Sequence, residues 1–207
     1  MVGHGGSGHK RADRQLMLAR RFATVSQMAT VAIDGPFHGD RVAEAVDRRR
    51  YQELMAAAGV EQVTNGMIDD WQATLDALQG LEELDDDRVA YVGFSMGTRF
   101  GLPYVAAAGD RLRCAVLGKN GMRQASAMPT AVNMGPRFQE DAPKVKVPLL
   151  FHVQWDDELF PRDGQFELFD LMGTPNKRLI AFPGPHSASA PEAVQAWCAF
   201  VGHHLTA

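Results

Sequence analysis

The strongest constraint on this chain is an alternation. Short apolar runs at residues 88–92, 113–117, 147–154 and 178–182 are separated by longer stretches with helical periodicity. Within them, apolar residues follow one another directly, as in Ala115-Val116-Leu117 and Leu149-Leu150-Phe151. Strands of that kind need cover on both faces. The expected fold class is therefore α/β, with a mostly parallel, doubly wound sheet and helices on both faces. Functional groups in such sheets sit where strands end and loops begin. The 207 residues suffice for a single domain spanning 1–207.

The remaining elements follow from periodicity and turn chemistry. Residues 10–22 read as a helix with Leu16, Leu18 and Phe22 as core positions. Residues 28–33 read as a short strand ended by the turn Asp34-Gly35-Pro36, and 41–58 as a helix stopped by Gly59. Asn65 is placed to cap the next helix, in which Ile68, Trp71, Leu75, Leu78 and Leu81 recur every three or four residues. The run Asp85-Asp86-Asp87 reads as a polar loop. A last helix starts at about Pro191 and buries Val194, Trp197 and Val201.

Charge and cysteine usage exclude several classes. A formal net charge of -4 argues against a general nucleic-acid binder, and Arg48-Arg49-Arg50 reads as a solvated helix face. No apolar run reaches the length of a membrane span, so no membrane partner is expected. Cys114 and Cys198 lie in apolar segments and read as free buried thiols of a cytoplasmic protein. No metal or cofactor is expected. The acidic run lacks a supporting histidine, His203 and His204 read as solvated, and His152 as a satisfied core residue.

Against that frame stands Gly93-Phe94-Ser95-Met96-Gly97. The pentapeptide alone decides little, but residues 88–92 precede it as a strand and 98–108 can follow as a helix. A serine on such a turn is exposed on a strained backbone, and flanking glycines avoid clashes. The following helix N-terminus would aim Met96 N–H at a developing oxyanion. His186, after Pro183-Gly184-Pro185 at the end of the 178–182 strand, can reach Ser95 as its base. In the loop after residue 154, Asp156 and Asp157 compete as the acid.

In order, His4-Gly5-Gly6-Ser7-Gly8, Asp34-Gly35-Pro36-Phe37-His38-Gly39, the serine turn and Pro183-Gly184-Pro185-His186 resemble the α/β-hydrolase superfamily, closest to its dienelactone-hydrolase-like esterases. The resemblance implies the chain order Ser95, Asp157, His186 and favours Asp157 over Asp156. It implies Gly6 N–H as the second oxyanion donor beside Met96, with Ser7 the neighbouring alternative. His38 falls in what resembles a structural turn. Dienelactone hydrolases themselves use a cysteine nucleophile, so the serine here leaves the dienelactone substrate unimplied. The expected activity is hydrolysis of small carboxylic esters with short or medium acyl chains through an acyl-enzyme. Thioesters, lactones and amides are alternatives on the same residues. Ser7, Phe94 and Met122 are expected substrate contacts, with Met128, Met134 and Phe138 as either an apolar pocket or core.

Two further readings compete. Gly3, Gly5 and Gly8 also satisfy Gly-x-Gly-x-x-Gly, and Asp34 ends the next apolar segment, as a dinucleotide-dependent oxidoreductase would require. A non-catalytic ligand-binding scaffold is the other. In the resembling fold, moreover, the strand leading into the first loop lies inside the sheet, behind an antiparallel hairpin. Only Met1-Val2 precede Gly3 here, so an N-terminally incomplete domain, low stability of the isolated chain, and an upstream segment or partner chain completing the sheet are expected.

Overall fold

The computed structural model describes residues 1–78, 80–85 and 87–206; Asp86 of the acidic run lies outside them. Five strands, β1 (Val2–Gly3), β2 (Ala90–Phe94), β3 (Cys114–Gly118), β4 (Leu149–Gln154) and β5 (Lys177–Phe182), form one sheet in that spatial order. Every pairing is parallel, with Val92 opposite Val2 on one side and Val116 on the other. The α/β expectation is met, and strand alternation explains both layers. Ala90, Val92 and Phe94 pack under α1 (Asp13–Ser26) and α7 (Pro191–Thr206) with Leu18, Phe22 and Trp197. Tyr91, Ala115, Leu117, Phe151 and Val153 face the opposite layer. That layer contains α2 (Arg48–Ala58), α3 (Val60–Leu78), α4 (Met96–Ala108), α5 (Gly135–Asp141) and α6 (Arg162–Leu171). Side chains two apart in a strand share a face, so near-continuous apolar strands feed two cores.

The expected strand at 28–33 does not form. Its only backbone bond to β1 is Val2 N–H to Val31 O at 2.8 Å, because a two-residue strand offers too short a ladder. The helix expected from residue 41 begins only at Arg48. The carboxylate of Asp47 accepts Arg50 N–H at 2.7 Å and caps it there, while a 3₁₀ turn at Gly39–Arg41 ties the preceding chain elsewhere. Asn65 is not a cap either. Helix α3 starts directly after Gly59, and Asn65 Oδ1 accepts from Arg137. In α1 the buried positions are Gln15, Leu18 and Phe22, leaving Leu16 exposed; Leu81 lies exposed beyond the end of α3. Val194, Trp197 and Val201 are buried as expected, and Cys114 and Cys198 are free, buried thiols. No helix among the described residues is long and apolar enough to cross a membrane.

Candidate active site

Ser95 joins β2 to α4 in a conformation L-residues rarely adopt, φ 59° and ψ -116°. Such a backbone costs on the order of 1–3 kcal/mol and persists only when its surroundings fix it. Ser95 N–H donates to Gly118 O on β3, and Asn120 Nδ2 donates to Ser95 O. Thr98 Oγ1 lies 2.8 Å from Gly93 O and accepts Gly118 N–H, tying the first turn of α4 to both strands. The flanking glycines are needed for close approach. A Cβ on Gly93 would lie 2.5 Å from Gly97 O, and one on Gly97 would lie 2.7 Å from Gly3 O. Backbone oxygens cannot swing away, so any side chain there would force the turn open.

Two carboxyl-end loops bring the partners. His186 Nε2 stands 2.8 Å from Ser95 Oγ, and its Nδ1 stands 2.8 Å from Asp157 Oδ2. The other oxygen of Asp157 accepts the Leu159 and Phe160 N–H groups, both at 2.9 Å, which fixes the carboxylate's direction. Its side chain is fully buried. Asp156, the competing acid, faces away from His186 and accepts Gly184 N–H, holding the turn at the end of β5. Glu158 accepts His186 N–H at 2.8 Å. One loop thus supports the histidine through three consecutive acidic residues.

Lys119, next to β3, was not foreseen from sequence. Its side chain is wholly buried, and Nζ donates to His186 O, Ala188 O and Ser189 Oγ. Burial lowers its pKa to about 8; Arg14 adds to the shift and Asp157 opposes it. The signal for it was available, since Lys119-Asn120 are polar residues immediately beyond an apolar strand at the sheet's functional edge.

The glycine loop after β1 runs beside Ser95. A Cβ on Gly6 would lie 3.9 Å from Met96 Cβ, which brings the Gly6 backbone against the start of α4. His4 orients this loop. Its Nδ1–H donates to Gly5 O at 2.8 Å, and Nε2 accepts Gly35 N–H at 2.7 Å. Burial lowers the His4 pKa to about 4, against the pull of the Gly5 carbonyl, so the neutral ring persists. His38 reaches the same loop, with Nε2 2.9 Å from Gly6 O and Nδ1 2.7 Å from Pro36 O. Both of its neighbours are acceptors, so only the imidazolium donates to both.

Asp34 is engaged in the fold. It accepts Lys10 N–H, Lys10 Nζ and Asp40 N–H. Burial alone would raise its pKa, but the bonds from Lys10 and Asp40 outweigh it and hold the value at about 2. A carboxylate so occupied is not free to bind a ribose, and the dinucleotide reading loses its acidic residue.

A cavity of about 640 Å³ opens over Ser95 and His186. Ser7, Met128 and Val132 line it, which for Met128 is the pocket alternative rather than the core. Phe94 does not, because it points into the core and packs on Trp197 with ring centroids 4.0 Å apart. Met122 packs against the opposite core, and Met134 and Phe138 are buried there. His152 is a satisfied core histidine between Gln154 and Trp197. Among the described residues no cluster of His, Cys, Asp and Glu is arranged to hold a metal.

Residues 26–186 match the model of the dienelactone hydrolase family. The chain belongs to that family. No curated protein matches it. Among solved structures, a cold-adapted esterase from an Arctic intertidal metagenomic library, bound to polyethylene glycol, is similar at 32% identity and TM-score 0.82. That alignment covers 99% of this chain and 81% of the esterase. A monoacylglycerol lipase of Paleococcus ferrophilus shares the fold at 14% identity and TM-score 0.71, over 98% of this chain and 93% of that one. The Pyrococcus furiosus esterase Pf2001 shares it at 18% and 0.71, over 99% and 81%. This dienelactone hydrolase family member is a hydrolase with the α/β-hydrolase fold.

Proposed function

We propose that this family member is a serine carboxylesterase that works through an acyl-enzyme. The observation that carries the reading is the unbroken chain Ser95 Oγ–His186–Asp157, with 2.8 Å at each link. Ser95 attacks the ester carbonyl while His186 Nε2 takes its proton, and buried Asp157 holds the ring and stabilises the imidazolium. The oxyanion is received by Met96 N–H, at the positive end of α4, and by Gly6 N–H. His186 then protonates the leaving alcohol, and water activated by the same ring releases the acid. Met128, Val132, Leu159 and Phe160 give the cavity apolar walls suited to short or medium acyl chains. A cytoplasmic location fits the two free thiols.

A p-nitrophenyl ester series from acetate to decanoate tests this. Turnover is expected to peak at short or medium length, with a burst of nitrophenolate approaching one equivalent of enzyme when deacylation is slow. Absence of turnover on every chain length would remove the esterase assignment.

A further inference from the structure

Ser95 has a counterpart on the neighbouring strand. Phe94 and Gly118 stand opposite each other at the ends of β2 and β3, so the next residues are Ser95 and Lys119. Both are left-handed, with φ 59° and 52°. Ser95 needs that backbone to project its hydroxyl, whereas a lysine gains nothing from it by itself. Lys119 is also wholly buried, and Asn120 beside it is 1% exposed. A strained backbone, a buried amine and a buried amide thus fall on two consecutive residues. Such features persist only where the surroundings fix them, and they gather where geometry has a task.

The dipeptide is tied to three neighbouring elements. Lys119 N–H donates to His152 O on β4 at 3.0 Å. Its ammonium turns to the loop after β5, where the His186 and Ala188 carbonyls and the Ser189 hydroxyl match its three N–H donors. The Asn120 side chain goes to β2. Nδ2 donates to Ser95 O at 3.0 Å, and Oδ1 accepts Gly121 N–H at 2.9 Å, which fixes the orientation of the amide. Since Ser95 N–H donates to Gly118 O, the end of β3 holds Ser95 by both backbone groups. The bond to Ser95 O has a second consequence. That oxygen and Met96 N–H belong to one planar trans peptide and point in opposite directions. A donor on the oxygen therefore fixes where Met96 N–H points, and by polarising the amide strengthens it as a donor. Thr98 and Arg99 N–H reach the same oxygen from within α4; Asn120 ties it from outside the helix.

We propose that Lys119 and Asn120 are a pair of positioning residues that set the His186 loop against Ser95 and aim Met96 N–H at the oxyanion. Neither lines the cavity, so both act through the groups they hold. Adjacent residues carry the two ties, so the base and the oxyanion donor share one support. Losing either tie loosens the geometry that both maintain. The inference rests on the esterase reading above.

The test is steady-state kinetics on p-nitrophenyl butyrate with Lys119→Met, Asn120→Ala, Asn120→Asp and the double change Lys119→Met with Asn120→Ala. Circular dichroism and melting temperature identify the folded variants. Asn120→Asp keeps the acceptor for Gly121 N–H and loses the donor to Ser95 O, so it separates the two bonds. Each single variant is expected to lose about 10- to 100-fold in kcat, with KM within about 2-fold. Affinity for butylboronic acid, which bonds to Ser95 and imitates the tetrahedral adduct, should fall in parallel. The double variant should lose less than the product of the single losses, since both ties serve one geometry. Folded single variants within about 3-fold of the wild-type kcat, a loss carried by KM, or unchanged boronic-acid affinity each overturn the inference and leave the esterase intact. A double loss equal to the product overturns it too, because the two residues would then act independently. No turnover of any ester by the wild-type protein removes the esterase reading itself, and this inference with it.

Discussion

The two sides of the cavity are built by different means. On one side Ser95, His186 and Asp157 sit at the ends of β2, β5 and β4, in the middle and at one edge of a parallel ladder. On the other, the glycine loop follows a two-residue strand and is held by side chains, through His4, His38 and the Asp34–Lys10 clamp. A backbone ladder fixes position whatever the side chains do, whereas a side-chain clamp can be lost by one substitution or by one proton. The geometry of Ser95 should therefore survive most single changes outside its flanking glycines, and the first loop's should not.

The largest effect expected is at Ser95 itself. Ser95→Ala should lower kcat by about 10⁶-fold, to the level left by binding alone, with melting temperature unchanged. Next comes the contrast between neighbours. Asp157→Asn should cost about 10⁴-fold by favouring the wrong imidazole tautomer. Asp156→Asn should cost under about 10-fold, because only the tie to Gly184 N–H weakens. Similar losses for the two would mean the loop, and not the carboxylate on His186, matters.

Lys119→Met removes three bonds that hold the 186–189 loop. It should lower kcat by roughly 10- to 100-fold with little change in KM, since misplacing a base by about 1 Å costs that much. A KM effect alone would contradict that positioning role. Across the cavity, Asp34→Asn should destabilise the fold by about 2 kcal/mol in urea titration, the size of a charged hydrogen-bond loss. A change below about 0.5 kcal/mol would show the loop is held by other means.

The smallest effect is a pH dependence of stability. His4 has a folded pKa of about 4, depressed from 6.5 by burial, and so does His152 in the sheet core. A depressed base favours folding above the unfolded value, and that contribution disappears as pH falls from about 6.5 to about 4. Melting temperature should drop over this window, on the order of 5 °C for each histidine. His4→Gln should flatten part of the fall, measured by scanning calorimetry at pH 7, 5.5 and 4.

The same contrast explains what was legible in the sequence. The four strands β2 to β5 and the serine turn could be read from local chemistry, because apolar runs and flanking glycines determine those elements where they stand. The strand at 28–33 could not, since its pairing depends on β1, and two residues make too little ladder. Helix α2 starts late because Asp47 captures Arg50 N–H, a choice that propensity over 41–47 conceals. Of the site, the contacts of Ser95 and His186 followed from strand ends. Asp157 needed the resemblance, since two adjacent aspartates look alike until their hydrogen bonds are known. Phe94 was misplaced by strand parity, which turns it away from the cavity and toward Trp197. Lys119 reaches across to the 186–189 loop from a distant strand and left no periodic trace.

The claim on which the rest depends is that Ser95 becomes acylated. Brief incubation with a fluorophosphonate, followed by proteolysis and peptide mass spectrometry, tests it most directly. One adduct is expected, on the peptide containing Phe94-Ser95-Met96, absent from Ser95→Ala and strongly slowed in His186→Ala. An adduct on another residue, or undiminished labelling of the Ser95→Ala protein, would contradict it.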